Sequence, residues 1–126
     1  MKNILLEKGQ ELHEKLCEIS DYIYKNPELG NKEYKAVEVL TSFLKEHNFE
    51  IEKELLGIET AFRAIYDSKK EGPTIGYLCE YDALPLIGHG CGHNMIGSMS
   101  AGAGIAGCRI WSIADTEALM ELQLYV

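Results

Sequence analysis

Between residues 74 and 106 the chain changes character twice, and any fold must accommodate both changes. Residues 74–79 (TIGYLC) form a short run that is almost wholly apolar and carries no charge, as suits a strand covered on both faces in the middle of an α/β sheet. Residues 80–94 (EYDALPLIGHGCGHN) then bring together Glu80, Asp82, His89, Cys91 and His93, threaded through Gly88, Gly90 and Gly92. Glycine permits the backbone angles that a compact, turned segment needs. Residues 94–106 (NMIGSMSAGAGIA) are small and apolar. Gly97, Gly102 and Gly104 each cost about 1 kcal/mol relative to alanine in an isolated helix, but small residues let a helix lie close against a sheet. Strand, polar loop and helix in that order make an α/β layer, whose chemistry sits just beyond the carboxyl ends of its strands. The loop occupies that position.

Thiolate, imidazole and carboxylate are the ligand types of zinc and its first-row neighbours. Cys91 and His93 are separated by one residue, so both side chains can turn to one side and share an ion, and Glu80 and Asp82 repeat that spacing. An ion held in this way would acidify a bound water and polarise a carbonyl, which is the chemistry of amide hydrolysis. Spacing alone fits equally well with a glycine-rich connection that holds a buried cysteine and two partly exposed histidines. A Ser-His-Asp or Cys-His nucleophile fits less well, because no nucleophile elbow is present and Cys91 has no separate base with a third, orienting group. A phosphate-cradling loop would need the lysine and the GxGxxG order that are missing here.

The rest of the chain supplies ordinary scaffolding. Leu5, Leu12, Leu16, Ile19 and Ile23 recur at helical spacing and predict a helix over residues 4–24. Cys17 beside that stripe reads as a small buried side chain and His13 as a solvated one. Asn26-Pro27 stops the helix. Gly30-Asn31 offers the cap of a second helix over residues 32–46, with Val37, Leu40 and Leu44 inward. His47 reads as a cation near the negative end of that helix. Residues 49–52 and 60–66 alternate as half-buried strands, and 67–73 form a polar turn of the kind that joins antiparallel neighbours. With 20 acidic and 12 basic residues the net charge is −8, which disfavours nucleic acid or anionic membrane as a partner. No apolar run approaches the roughly 20 residues of a membrane span. Residues 1–3 lead into an acidic amphipathic segment instead of a signal-peptide core, so a cytoplasmic location is expected. The four cysteines show no paired spacing, which argues against a disulfide framework. A length of 126 residues is that of one modest domain or a piece of one.

The run from Gly76 to Pro85 (GYLCEYDALP), followed by Ile87 to Gly97 (IGHGCGHNMIG), closely resembles the M20 metallopeptidase and amidohydrolase family, nearest to its aminobenzoyl-glutamate hydrolase branch. Residues 26–30 (NPELG), 33–36 (EYKA), 60–62 (TAF) and 72–76 (GPTIG) are similar to the same branch. The resemblance covers about residues 12–106. It implies an α/β fold, the N-terminal part of a zinc-peptidase-like catalytic domain with a mixed sheet flanked by helices. It also implies a metal-dependent hydrolase of amide or peptide bonds that uses divalent zinc or manganese, two ions in the full-length family, on small peptides or N-acyl amino acids. On this resemblance Cys91 and His93 match metal ligands, and Asp82 matches the aspartate that orients a ligand from behind. Glu80 stands where other branches have a histidine ligand, Asn94 where aspartate is frequent, and His89 matches a motif position that lines the site.

The family's Glu-Glu general base and its remaining ligands lie further downstream and have no counterpart in these 126 residues, so the chain is expected to be a fragment without activity of its own. Residues 107–126 (GCRIWSIADTEALMELQLYV) depart from the family. Permitted codons for residues 119–126, read two bases later, spell aspartate, glycine, threonine, alanine, valine, valine and cysteine, the strand expected next. A frameshifted tail is therefore one expectation, and a genuine C-terminal segment that covers the sheet is the other. The alternative function is a non-enzymatic metal-binding or interaction module that shares an ion through Cys91 and His93 with another chain. An uncovered sheet would favour self-association.

Overall fold

The computed structural model describes residues 2–69, 72–113 and 119–124. Helix α1 runs Lys2–Lys25 and α2 runs Tyr34–Glu46. Strands β1 (Glu50–Lys53), β2 (Phe62–Asp67) and β3 (Thr74–Cys79) follow, then α3 (His93–Ile113) and β4 (Leu119–Leu124). The sheet order is β1-β2-β4-β3. It is mixed, because β4 runs antiparallel to β2 and parallel to β3.

Two strand expectations change here. Residues 67–73 do not join neighbours, because β4 lies between β2 and β3. Nor is β3 covered on both faces: it ends the described sheet, and its residues alternate between exposed Thr74, Gly76 and Leu78 and the more buried Ile75, Tyr77 and Cys79. Leu78 is 68% exposed, so the apolar run was an alternating strand whose outer positions happen to be uncharged. In β4 the register places Met120, Leu122 and Leu124 opposite Tyr66, Ala64 and Phe62 on one flank and Ile75, Tyr77 and Cys79 on the other.

Both α2 and α3 lie against the sheet, and α1 packs on α3 and α2. One core joins Leu12, Ile19 and Ile23 of α1, Leu40 and Leu44 of α2, Phe62 of β2, and Ala101 and Ile105 of α3. Burial of each large aliphatic side chain contributes about 1.5–3 kcal/mol. The small residues of α3 act on two sides. A Cβ at Gly97 would lie 3.2 Å from the Glu80 carbonyl oxygen, and one at Gly102 would lie 2.6 Å from Leu16 Cδ1. The close approach expected toward the sheet is therefore matched by one toward α1. Contrary to expectation Cys17 is exposed, with its Sγ 3.9 Å from His13 Nε2. Among the described residues no helix is long and apolar enough to cross a membrane.

The start of α2 is capped from a distance. Asn31 has φ +64° and the helix begins only at Tyr34. The Glu28 carboxylate accepts the N–H groups of Lys35 (3.1 and 2.9 Å to its two oxygens) and Ala36 (3.1 Å), placing negative charge on the free N–H groups of the first turn. At the other end, His47 packs edge-on against Phe43 with ring centroids 5.0 Å apart. Burial, and then the charge of Lys8, holds its pKa below the ordinary histidine value. It therefore favours the neutral form, not the cation its place at a helix end suggested.

Candidate metal centre

The loop that follows β3 is pinned from the inside by Tyr81. Its side chain is fully buried, stacked on Phe62 with ring centroids 6.0 Å apart, and its hydroxyl donates to the Thr60 carbonyl at 2.5 Å. With residue 81 held in the core, its neighbours Glu80 and Asp82 remain partly exposed. The next residue is fixed from the other side, because Ala83 N–H donates to the Glu28 carbonyl at 2.7 Å and Leu29 pairs with Ala83 in a parallel bridge. The stretch NPELG thus caps α2 with a side chain and holds the loop with a main-chain carbonyl.

Beyond this anchor the loop folds on itself. Leu84 and Gly88 exchange two main-chain hydrogen bonds of 2.9 and 3.0 Å, closing a turn in which Leu86 and Gly88 have positive φ. Gly92, at φ +83°, donates its N–H to the His89 carbonyl, and its own carbonyl accepts the N–H groups of Met95 and Ile96. This left-handed glycine lets α3 start abruptly at His93. The first residue of α3 therefore stands beside the last residues of the β3 exit.

There His93 lies between two carboxylates. Its Nδ1 is 2.5 Å from Asp82 Oδ1, and its Nε2 is 3.0 Å from Glu80 Oε2. The structure so brings Glu80, Asp82 and His93 together. Cys91 is exposed, and among the described residues no three His, Cys, Asp or Glu side chains are arranged to hold an ion. His89 is buried, with its ring 6.4 Å from that of Tyr24 and neither nitrogen in a well-formed hydrogen bond. Burial pushes its pKa down, and the Ile23 main chain pulls it partly back. Asn94 is also buried, but its amide donates to Ser20 Oγ at 2.9 Å; it latches α3 to α1. Cys79, just before the loop, is a buried thiol whose pKa burial pushes up to about 12.

Sequence reasoning singled out Asp82, Cys91 and His93, of which the structure brings Asp82 and His93 into contact, but missed what positions them. Glu28 lies seven and eight residues before the groups it caps, outside the local window of a capping signature. Tyr81 had a signal that went unused: an aromatic residue between two acids at a strand exit is the one that must turn inward when its neighbours turn out.

No protein-family model matches the chain. It is 36% identical over 118 aligned positions to the Xaa-Arg dipeptidase of Mus musculus, an alignment that takes in 83% of this chain and 26% of that protein. To one of the subunits of the p-aminobenzoyl-glutamate hydrolase of Escherichia coli (strain K12) it is 32% identical over 110 positions, covering 74% of this chain and 22% of that polypeptide. The chain thus spans about a quarter of the length of these curated relatives. Its fold matches a Bacillus subtilis crystal structure, described as a dinuclear metal-binding peptidase from the M20 family, with a TM-score of 0.75 at 20% identity over 90% of this chain and 35% of that one. The α/β architecture, the EYDALP and GHGCGHN stretches around His93 and these two sequence relatives agree: the chain belongs to the M20 peptidase and amidohydrolase family.

Proposed function

We propose that this chain supplies the first part of the active centre of a metal-dependent amide or peptide hydrolase, with small peptides or N-acyl amino acids as substrates. The observation that carries the reading is His93, held between Asp82 and Glu80 at the carboxyl end of β3. The relatives are a dipeptidase and an aminobenzoyl-glutamate hydrolase, which makes amides with a carboxylate on the amine side the substrate class of choice.

In this reading His93 and Cys91 hold a divalent ion, zinc or manganese, and Asp82 fixes the tautomer and ring plane of His93. The donor chemistry fits: an imidazole backed by a carboxylate, an exposed thiol two residues away and a further carboxylate within 3.0 Å of the ring are all first-row ligand types. A bound divalent ion would supply an acidified water and a polarised substrate carbonyl. The chain's own contribution is to place the imidazole, through the Tyr81 anchor and the Gly92 helix start. No general base is assigned within the chain, so the isolated 126-residue protein is expected to bind the ion without turning substrate over.

The test compares zinc and manganese binding, and hydrolysis of p-aminobenzoyl-glutamate and of a dipeptide ending in arginine, for the chain alone and for a longer family polypeptide carrying the same 80–94 stretch. Metal binding by the chain, with hydrolysis only in the longer protein and its loss on Cys91→Ala, supports the reading. Binding by neither the chain nor the longer protein refutes it.

A further inference from the structure

We propose that Cys17 is a thiol-modification site, at which His13 assists exchange with a small uncharged disulfide seated in the groove between α1 and α3. Neither residue belongs to the metal centre, so this site stands or falls apart from it.

Helix geometry brings the two side chains together. His13 and Cys17 are one turn apart on the same face of α1, and His13 Nε2 lies 3.9 Å from Cys17 Sγ, within reach of a hydrogen bond to sulfur. Both residues are exposed. Cys91, the other exposed thiol, has no imidazole in such contact among the described residues. The pair opens on a groove of about 400 Å³ between the two helices, within the size range of small-molecule sites. Leu16, Met95 and Met99 supply its apolar walls. The helices that form it are held in place, because Leu16 Cδ1 lies 2.6 Å from where a Cβ on Gly102 would stand and the Asn94 amide donates to Ser20 Oγ at 2.9 Å.

The reaction follows from that placement. Cys17 gives its thiol proton to His13 Nε2, and the thiolate attacks the nearer sulfur of the disulfide. A new S–S bond forms to Cys17 as the old one breaks, and the departing half leaves as a thiolate that takes the proton back from the imidazolium. Cys17 is thereby oxidised to a mixed disulfide and the departing half reduced to a thiol, so no further oxidant is required. One exchange needs only a thiol and a base. The groove also selects the reagent. Thioether and aliphatic walls suit an aromatic or apolar half, whereas Asp21, which lines the groove beside Lys25, and the net charge of −8 disfavour an anionic one.

The experiment mixes the whole chain with limiting dithiodipyridine, a neutral aromatic disulfide, at neutral pH and with a chelator that keeps Cys91 free of metal. Mixed-disulfide formation at each cysteine is followed by quenched peptide mass spectrometry. The variants are His13→Gln and Met99→Glu, both at exposed positions, with circular dichroism to verify folding. Cys17 should react at least about tenfold faster than Cys91, and His13→Gln should abolish that advantage, which is a small part of what a positioned general base supplies. Met99→Glu, which puts a negative charge in the groove wall, should slow Cys17 several-fold and leave Cys91 unchanged. If Cys17 of the folded wild-type chain reacts no faster than Cys91, or keeps its advantage in folded His13→Gln, the proposal is overturned. If folded Met99→Glu reacts as wild type does, the groove is overturned as the seat of the reagent.

Discussion

Tyr81 is the residue through which the core reaches the site, and removing its hydroxyl alone is the sharpest perturbation. Tyr81→Phe keeps the ring stacked on Phe62 but deletes the donor to the buried Thr60 carbonyl. A buried acceptor left unpaired costs about 1–3 kcal/mol, beyond the smaller net value of the bond itself. For a domain of this size each kcal/mol lowers the melting midpoint by about 3–6 °C. Tyr81→Ala also empties the space between Phe62 and the loop and should cost about 3–5 kcal/mol. Thermal and urea unfolding followed by circular dichroism give both values. Ring 15N shifts of His93 report whether Asp82 still holds Nδ1; they should stay unchanged in Tyr81→Phe and move in Tyr81→Ala. A Tyr81→Phe variant within about 0.5 kcal/mol of wild type, or a Tyr81→Ala variant that leaves the His93 shifts in place, would refute the claim that this ring sets the site.

Other consequences can be checked with the same protein. Glu28→Ala removes the acceptor for two α2 N–H groups and should destabilise by about 1–2 kcal/mol in urea titrations, as loss of a helix cap does. Cys17 and Cys91 are exposed whereas Cys79 and Cys108 are buried, with thiols pushed up to about 12; an aromatic disulfide reagent at pH 8 should therefore titrate two thiols quickly and two only on unfolding. Burial holds both His47 and His89 below the ordinary histidine value, so the unfolded chain takes up protons first as pH falls through about 6.5. Stability should therefore be greatest above that pH and decline below it, and in urea unfolding His47→Gln should flatten the slope. Burial raises Tyr81 well above its ordinary value, so stability should also fall above about pH 10, where the unfolded phenol ionises and the folded one does not.

How much of this was legible in the sequence depended on the range of each cause. The stripe of Leu12, Leu16, Ile19 and Ile23 and the alternation of residues 60–66 are local patterns, and they produced α1 and β2 as read. The sheet order was not legible, because β4 inserts between β2 and β3 from 40 or more residues further along the chain, and no periodicity announces which gap a strand will enter. Burial of the cysteines was half legible: Cys79 ends the apolar row of β3, but Cys17 lies just off the α1 stripe and is exposed. At the site, residue types and spacing singled out Glu80, Asp82, Cys91 and His93 as one group, of which the structure brings Glu80, Asp82 and His93 together. The contact of Glu80 with His93 was not legible, because it depends on where α3 begins relative to the β3 exit, which Gly92 and Gly97 decide together through a positive φ and a close approach.

That dependence has a consequence for how the site tolerates change. Asp82 and Glu80 are carried by the exit of one strand and His93 by the start of one helix; the strand exit is pinned by Tyr81 beneath and by Ala83 to Glu28 at the side, and Gly97 sets the helix against the Glu80 carbonyl. Each tie is a main-chain or core constraint, so polar substitutions in the exposed turn around Leu86 should leave the His93 geometry intact, whereas a single added methyl at Gly97 acts on the donors directly. Gly97→Ala gains helix propensity of about 1 kcal/mol but must push the Glu80 carbonyl or Tyr81 by a few tenths of an ångström, given contacts of 3.2 and 3.3 Å. Stability and site geometry should then part company: the variant should unfold near the wild-type midpoint while its His93 ring shifts and zinc affinity change. If both stay at wild-type values, the loop yields at Gly97 and the close approach of α3 does not position the donors.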